Sequence, residues 1–196
     1  MASKKLNKIF LSASIPLQER DSTFFDTADV IAIRDAVRAL ATVVIPDAIL
    51  VWGGHPAITP LIRFVMEKMD VNLKTHVTLY QSEFFKDIFP PDNFDFENIQ
   101  LVAAEIDRET SLWSMRDKMI RENDFIAGIF IGGMEGIFDE YKMFRDYHPD
   151  ALVLPVASTG AAALQLFKEM KPQPPISLLQ NYAYMNMFEE LIGGHL

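Results

Sequence analysis

Short, wholly apolar segments alternate along the chain with segments whose apolar residues recur every three or four positions. The first kind has the length of a buried β-strand, about four to eight residues, and the second has the period of an amphipathic helix. Strands that alternate with helices form a parallel sheet whose two faces are both covered by helices. The pattern therefore predicts an α/β fold, an open parallel sheet of about six strands with helices on both faces.

The elements follow one another without an internal repeat, so we expect residues 1–196 to form one domain. Asp26 or Thr27 is expected to cap the first helix and Thr59 the second, because their side chains accept hydrogen bonds from free N–H groups. Predicted strands cover 8–13, 49–52, 75–80, 99–105, 125–131 and 151–157. Predicted helices cover 28–42, 110–122, 137–144 and 161–170, another starts at residue 59, and a C-terminal helical segment spans about 176–191.

One stretch, from Phe125 to Glu140, combines a buried strand, a glycine-rich turn and the start of a helix. Such a junction can direct backbone N–H groups towards an anion, so it predicts a nucleotide or phosphate site. Ligands of open parallel sheets bind beyond the carboxyl ends of the strands. Most predicted strands end in small, hydroxylic or polar residues that suit phosphate or ribose oxygens. The expected ligand-binding residues are Ser12, Ser14, Gly53, Gly54, His55, Ser82, Gly132, Gly133, Glu135, Gly136, Ser158 and Thr159.

The same residues also have an ordinary structural interpretation. Glycine, serine and threonine are common in βα turns because they allow tight geometry and cap helices. His55 is either a ligand contact or a helix-entry residue, and Arg116 is either a ligand contact or the partner of a nearby acid. Asp139 and Glu140 lie in the first turn of a predicted helix, where the helix dipole favours acidic side chains. Glu135 would repel a phosphate held in the turn, which favours a ribose hydroxyl there.

Composition and charge exclude several classes of function. Hydrophobic residues make up 49% of the chain and charged residues 23%, as in ordinary globular proteins. The 18 Lys and Arg against 27 Asp and Glu leave a net charge of −9, which argues against nucleic-acid binding because that requires a basic face. The absence of cysteine excludes disulfides and thiolate chemistry, and the dispersed histidines predict no metal site; no cofactor is expected. No apolar segment approaches the roughly 20 residues of a membrane span, so we expect a cytoplasmic protein with no membrane partner.

The region from Met115 to Tyr141 resembles the signature of the SLOG (SMF/DprA–LOG) superfamily of Rossmann-like nucleotide-binding domains. In its LOG enzymes, an arginine on a helix precedes a strand that ends in P-G-G-x-G-T-x-x-E. Arg116, Gly132-Gly133 and Glu140 match this pattern. The LOG enzymes are phosphoribohydrolases, so the resemblance implies that Arg116 and Glu140 are catalytic if this chain is a hydrolase.

Motifs along most of the chain are more similar to another branch, the SLOG family associated with TIR and nucleoside-phosphorylase-like domains. These motifs are Phe10-Leu-Ser-Ala-Ser14, Gly53-Gly-His-Pro-Ala-Ile-Thr-Pro60, Tyr80-Gln-Ser82, Gly132-Gly-Met-Glu-Gly136 and Ser158-Thr-Gly160. That branch occurs in prokaryotic antiphage and conflict systems and is associated with nucleotides derived from NAD. The chain departs from the LOG motif, because Ile131 replaces its proline, Ile137 replaces its threonine, and the loop has one extra residue.

The resemblance implies a sensing domain for an NAD-derived or related adenine nucleotide such as ADP-ribose. Arg116 is then expected to bind a phosphate, and Glu135 or Glu140 is expected to accept hydrogen bonds from ribose hydroxyls. One alternative is an N-glycosidic hydrolase that acts on a nucleoside 5′-monophosphate, and another is an interaction module without a ligand. The expected partners are the small-molecule nucleotide, further copies of the chain in a dimer or higher oligomer, and an effector protein.

Overall fold

A computed structural model describes residues 5–69 and 71–196 of the chain, without the side chains of residues 71 and 72. Its six strands are β1 (Lys8–Ser14), β2 (Ile49–Gly53), β3 (Val77–Ser82), β4 (Ile99–Val102), β5 (Phe125–Gly132) and β6 (Leu152–Val156). They form one open sheet in the order β4-β3-β2-β1-β5-β6, and every neighbouring pair is parallel. The predicted Rossmann-like α/β fold is confirmed.

The α-helices lie between the strands and after the last one. They are α1 (Ser22–Phe25), α2 (Val30–Val44), α3 (Thr59–Met66), α4 (Arg108–Arg121), α5 (Gly136–Tyr147), α6 (Ala161–Glu169), α7 (Ser177–Gln180) and α8 (Tyr184–Ile192). Short 3₁₀ helices cover Val71–His76, Glu83–Ile88, Pro91–Asp95, Ala157–Thr159 and Gly193–His195. Within the described ranges, no helix combines the length and the apolar character that crossing a membrane requires.

The sheet divides the hydrophobic core into two layers, and β1 shows how. Ile9 and Leu11 belong to the layer that includes the buried faces of α2, α3 and α8. Phe10 points to the other side and joins the layer of α4 and α5, where its ring stacks on Phe144 with 5.5 Å between centroids. All four side chains are almost fully buried. A strand covered on both faces needs a continuous apolar sequence, which is the pattern that predicted it.

The order of the strands places a ligand crevice beside β1. The chain passes outward from β1 through β2 and β3 to β4, and then returns to pair β5 with the opposite side of β1. Ser14 at the end of β1 is opposite Gly132 at the end of β5. In open parallel sheets the connections on either side of such a reversal diverge, and ligands bind in the crevice between them.

The first long helix begins two residues later than predicted. Asp29, and neither Asp26 nor Thr27, is the cap of α2, and its carboxylate accepts a hydrogen bond from the backbone N–H of Ala32 at 2.9 Å. The predicted loop before it contains α1, which Asp21 caps. Several hydrogen-bonding side chains follow one another here, and the pattern alone did not distinguish between them.

Strand β4 is shorter than predicted because the helix after it begins earlier. Asp107 and Thr110 form a capping box, in which the Asp107 carboxylate accepts from the Thr110 N–H at 2.8 Å. Helix α4 therefore starts at Arg108, whereas the prediction placed its start at Thr110 or Ser111. The strand ends at Val102 and not at residue 105.

Further details of the prediction differ from the structure. Thr59 is the first residue of α3 and not its cap; its hydroxyl accepts from the Trp52 indole N–H at 3.4 Å and from the His55 backbone N–H at 3.3 Å. The predicted C-terminal helical segment is divided into α7 and α8. The chain is extended at Asn181, whose side-chain oxygen accepts from the Ala183 N–H at 2.8 Å, and this bond stabilises a turn between the two helices.

Candidate functional site

A cavity of about 250 Å³ lies beyond the carboxyl end of β1, between the turn after β2 and the residues that follow β5. Its walls come from the end of β1, the turn after β2, one side of α4 and the start of α5. Charged side chains of both signs converge on it: Arg20, Arg108 and Arg116, together with Glu109, Glu135, Asp139 and Glu140. We refer to it as the strand-end cavity.

A larger groove of about 650 Å³ lies away from the strand ends, among α2, α3 and α8. Phe64, Tyr182 and Met185 form part of its wall, and the Arg38 guanidinium lies 4.9 Å from the centre of the Phe64 ring. Volume alone would favour this groove. The strand-end cavity is nevertheless the better candidate, because it occupies the switch point of the sheet and collects polar groups from several elements.

Arg116 and Glu140 form an ion pair in the wall of the strand-end cavity. The Arg116 Nε donates to Glu140 Oε1 at 3.0 Å, and its Nη1 donates to Asp139 Oδ2 at 3.2 Å. The side chains of Arg116 and Glu140 are each 17% exposed, whereas that of Asp139 is 63% exposed. Two carboxylates and partial burial therefore hold the guanidinium in one place, between α4 and α5.

Gly136 leaves the space that the Arg116 side chain occupies. A Cβ atom at position 136 would collide with Arg116 Nη2, the end of the guanidinium. Since Gly136 is also the first residue of α5, the absence of a side chain there allows Arg116 to reach Glu140 on the same helix. The glycine at this point of the motif thus has a steric function.

The two glycines at the end of β5 use their N–H groups within the protein. The Gly132 N–H donates to Thr159 Oγ1 at 2.9 Å, and the Gly133 N–H donates to the Ser14 carbonyl at 2.8 Å. Both glycines have positive φ, 59° and 82°, a conformation that few other residues adopt at low cost. Their N–H groups therefore stabilise the turn and do not point into the cavity as free donors.

His55 lies in the cavity wall as a neutral imidazole. Burial, and secondarily the positive charge of Arg20, lower the pKa of His55 from 6.5 to about 4. Its Nδ1 accepts a hydrogen bond from the Ala57 N–H at 3.2 Å. The proton of the neutral ring is consequently on Nε2, which gives His55 one N–H donor for a ligand.

Comparison with protein families identifies the chain. The profile of the SLOG cluster3 family matches residues 23–192. The chain belongs to the SLOG cluster3 family. Comparisons with curated proteins and with solved structures found no match. The predicted resemblance to the SLOG superfamily is confirmed, and membership indicates a nucleotide-related function.

The strand-end cavity of this SLOG domain brings together most of the predicted site residues. They come from β1, from the turn after β2, and from the helices before and after β5. The predicted residues in its wall are Ser12, Ser14, Gly53, Gly54, His55, Arg116, Glu135, Gly136 and Glu140. Among the described residues, no group of three or more His, Asp or Glu side chains is placed to bind a metal ion.

Five of the predicted residues do not line the cavity of the SLOG domain; they are Ser82, Gly132, Gly133, Ser158 and Thr159. Ser82 accepts from the Phe84 N–H at 3.3 Å and so caps a 3₁₀ helix. The Ser158 hydroxyl lies 3.1 Å from that of Tyr184, and Thr159 donates to the Val156 carbonyl at 2.6 Å. These contacts are the ordinary structural roles of such residues in βα turns.

Four charged residues of the cavity were absent from the predicted set: Arg20, Arg108, Glu109 and Asp139. Arg108 and Glu109 begin α4, and the Asp-x-x-Thr capping pattern was the signal that places them at the start of the helix after β4. Arg20 comes from the connection between β1 and α1, where no periodic pattern indicates which side chain turns towards the site.

Proposed function

We propose that this SLOG protein binds and senses a nucleotide in the strand-end cavity, and that the nucleotide is derived from NAD or is a related adenine nucleotide such as ADP-ribose. The observation that carries the proposal is the position of the cavity at the switch point, where arginines, carboxylates and serine hydroxyls converge. This combination suits a ligand with both anionic groups and sugar hydroxyls, because guanidinium groups bind phosphate and carboxylates accept from hydroxyls.

The size of the cavity supports partial enclosure of such a ligand. Its volume of about 250 Å³ is slightly below the roughly 300 Å³ at which sites for whole drug-sized molecules begin. We therefore assign the ribose and an adjoining phosphate to the cavity, and the remainder of the nucleotide to the surface around its mouth. Ser12, Ser14 and the Nε2–H of His55 supply donors on the β1 and β2 side.

A second candidate function is N-glycosidic hydrolysis of a nucleoside 5′-monophosphate. The observation that favours it is the partly buried Glu140, which Arg116 holds at 3.0 Å in the wall of the cavity. A carboxylate in this position is suited to stabilise an oxocarbenium-like ribose or to activate water for attack on it. Free base and ribose phosphate would then appear in solution, and Glu140→Gln would abolish their release.

One experiment distinguishes the two functions. Purified protein is incubated with NAD, ADP-ribose, cyclic ADP-ribose, AMP and other nucleoside monophosphates, and mass spectrometry measures bound and free small molecules separately. Retention of an intact nucleotide supports the sensor and names its ligand. Release of a base supports the hydrolase. Arg116→Ala should reduce retention with the fold intact, and equal retention by the variant would remove Arg116 from the site.

The proposal extends to assembly and to biological context. We propose that the protein acts as a homo-oligomer in a prokaryotic antiphage or conflict system and transmits nucleotide binding to an effector protein. Light scattering with and without the nucleotide tests the assembly. An interaction module without a ligand is the competing function, and it predicts that no nucleotide raises the melting temperature, because stabilisation by a ligand follows its concentration relative to Kd.

A further inference from the structure

An ion pair connects two separate parts of the wall of the strand-end cavity. Arg20 Nη2 donates to Glu135 Oε1 at 2.9 Å, which links the connection after β1 to the residue that precedes α5. Both side chains line the cavity, and both are substantially exposed, at 41% and 62%. The family signature that predicted Arg116 and Glu140 does not include Arg20.

The two arginine pairs of the cavity differ in how firmly their carboxylates are held. Arg116 is 17% exposed and contacts two carboxylates, on Asp139 and Glu140. Arg20 contacts one carboxylate and is more than twice as exposed. Exposed single ion pairs are weak, whereas a partly buried guanidinium that contacts two acids is costly to separate from them. An anion that enters the cavity therefore displaces Glu135 from Arg20 before it displaces the partners of Arg116.

The N–H groups of the first two glycines of the turn do not bind this anion. The N–H groups of Gly132 and Gly133 already donate to Thr159 and to the Ser14 carbonyl. These two N–H groups are therefore unavailable to a phosphate in the cavity, and a guanidinium, which can present two parallel N–H groups, is the strongest side-chain donor for it.

We infer that Arg20 is a phosphate-binding residue of the strand-end cavity and that Glu135 occupies its guanidinium until a phosphate-bearing ligand replaces it. This inference rests on the proposed nucleotide binding. Glu135 then has an inhibitory role, because its carboxylate takes the place of the phosphate on Arg20. As a result, ligands that carry a phosphate bind in preference to neutral nucleosides. Arg116 retains its carboxylate partners and positions Glu140 for the sugar.

The test is a double-mutant cycle on the full chain, with ADP-ribose and AMP as probes and isothermal titration calorimetry as the measurement. Arg20→Gln should weaken binding about ten- to hundredfold, the range of a charge-assisted hydrogen bond. Glu135→Gln should strengthen binding about two- to fivefold, because the competing pair is an exposed one. In the double variant the gain from Glu135→Gln should disappear, because no guanidinium is left for it to release.

Arg145→Gln is the matched control, since Arg145 is an exposed residue of α5 outside the cavity and its replacement removes the same charge. Circular dichroism confirms that each variant is folded. Binding by the wild type with no loss in Arg20→Gln, or a gain from Glu135→Gln that persists without Arg20, overturns this inference alone. Failure of the wild type to bind any of the nucleotides used in the retention experiment overturns the proposed function and this inference with it.

Discussion

Thr159 has one role predicted from the sequence and another in the structure, and a substitution can distinguish them. The sequence placed it among the ligand-binding residues, whereas the structure buries it completely, away from the cavity. Its hydroxyl accepts from the Gly132 N–H at 2.9 Å and donates to the Val156 carbonyl at 2.6 Å. The side chain thus connects the end of β5 to the end of β6.

Thr159→Val keeps the shape of the side chain and removes both hydrogen bonds. It leaves one buried N–H and one buried carbonyl without this partner, and each such group costs about 1 to 3 kcal/mol. We expect the free energy of unfolding to fall by about 2 to 6 kcal/mol in total. For a chain of this length, each kcal/mol lowers Tm by about 2 to 4 °C, so the expected decrease in Tm is about 4 to 24 °C.

The assay is urea unfolding followed by circular dichroism, with Thr159→Ser as the matched control because serine keeps the hydroxyl and loses only a methyl group. The serine variant should lose about 1 kcal/mol. Equal stability of the valine and serine variants would refute the reasoning, because it would mean that the hydroxyl satisfies neither backbone group. Unchanged stability with a loss of nucleotide affinity would instead indicate that Thr159 contributes to nucleotide binding.

Two further predictions concern the cavity wall. The folded-state pKa of His55 is depressed to about 4, so the unfolded chain takes up the proton first and stability falls as the pH decreases from 6.5 towards 4. The free energy of unfolding falls by about 3 kcal/mol at most. Denaturation at several pH values should show that the stability of His55→Gln depends less on pH than that of the wild type. Parallel pH profiles of the two proteins would contradict the lowered pKa. Gly136→Ala should displace Arg116 from its two carboxylates, which weakens nucleotide binding and also lowers Tm, because that separation is costly even though alanine is the better helix former. A lower Tm with full affinity would show that the backbone moves instead.

The strands and the glycine turn were predictable because their signals are local. A strand covered on both faces must be apolar throughout, and Ile9, Phe10 and Leu11 show this directly in the sequence. Helix starts were less predictable, because Asp26, Thr27 and Asp29 all have side chains that can cap. Only packing selects Asp29, whose own N–H donates to the Thr159 carbonyl at 3.1 Å, a contact between residues far apart in the chain.

The candidate site was predicted in part, for the same reason. Residues that directly follow β1 and β2, or that flank β5, lie at the switch point because the parallel strands all end at one edge. Ser82 ends β3, which lies two strands away from β1, and Ser158 follows β6 on the far side of β5; the hydroxyls of both serines contact neighbouring protein groups. The sequence shows which residue types lie at each strand end, but it does not show the order in which the strands lie side by side in the sheet.

The sequence by itself therefore determined the fold class, the SLOG superfamily and the Arg116–Glu140 motif, since these depend on periodicity and on residues close to one another in the chain. Only the tertiary structure decided which strand ends meet, which N–H groups of the glycine turn are occupied, and that Arg20 pairs with Glu135. The physical reason is that these contacts join residues that are not neighbours in the chain, as with the separation of 115 residues between Arg20 and Glu135. No local pattern records such a distance, because it is set by how the sheet and its helices pack.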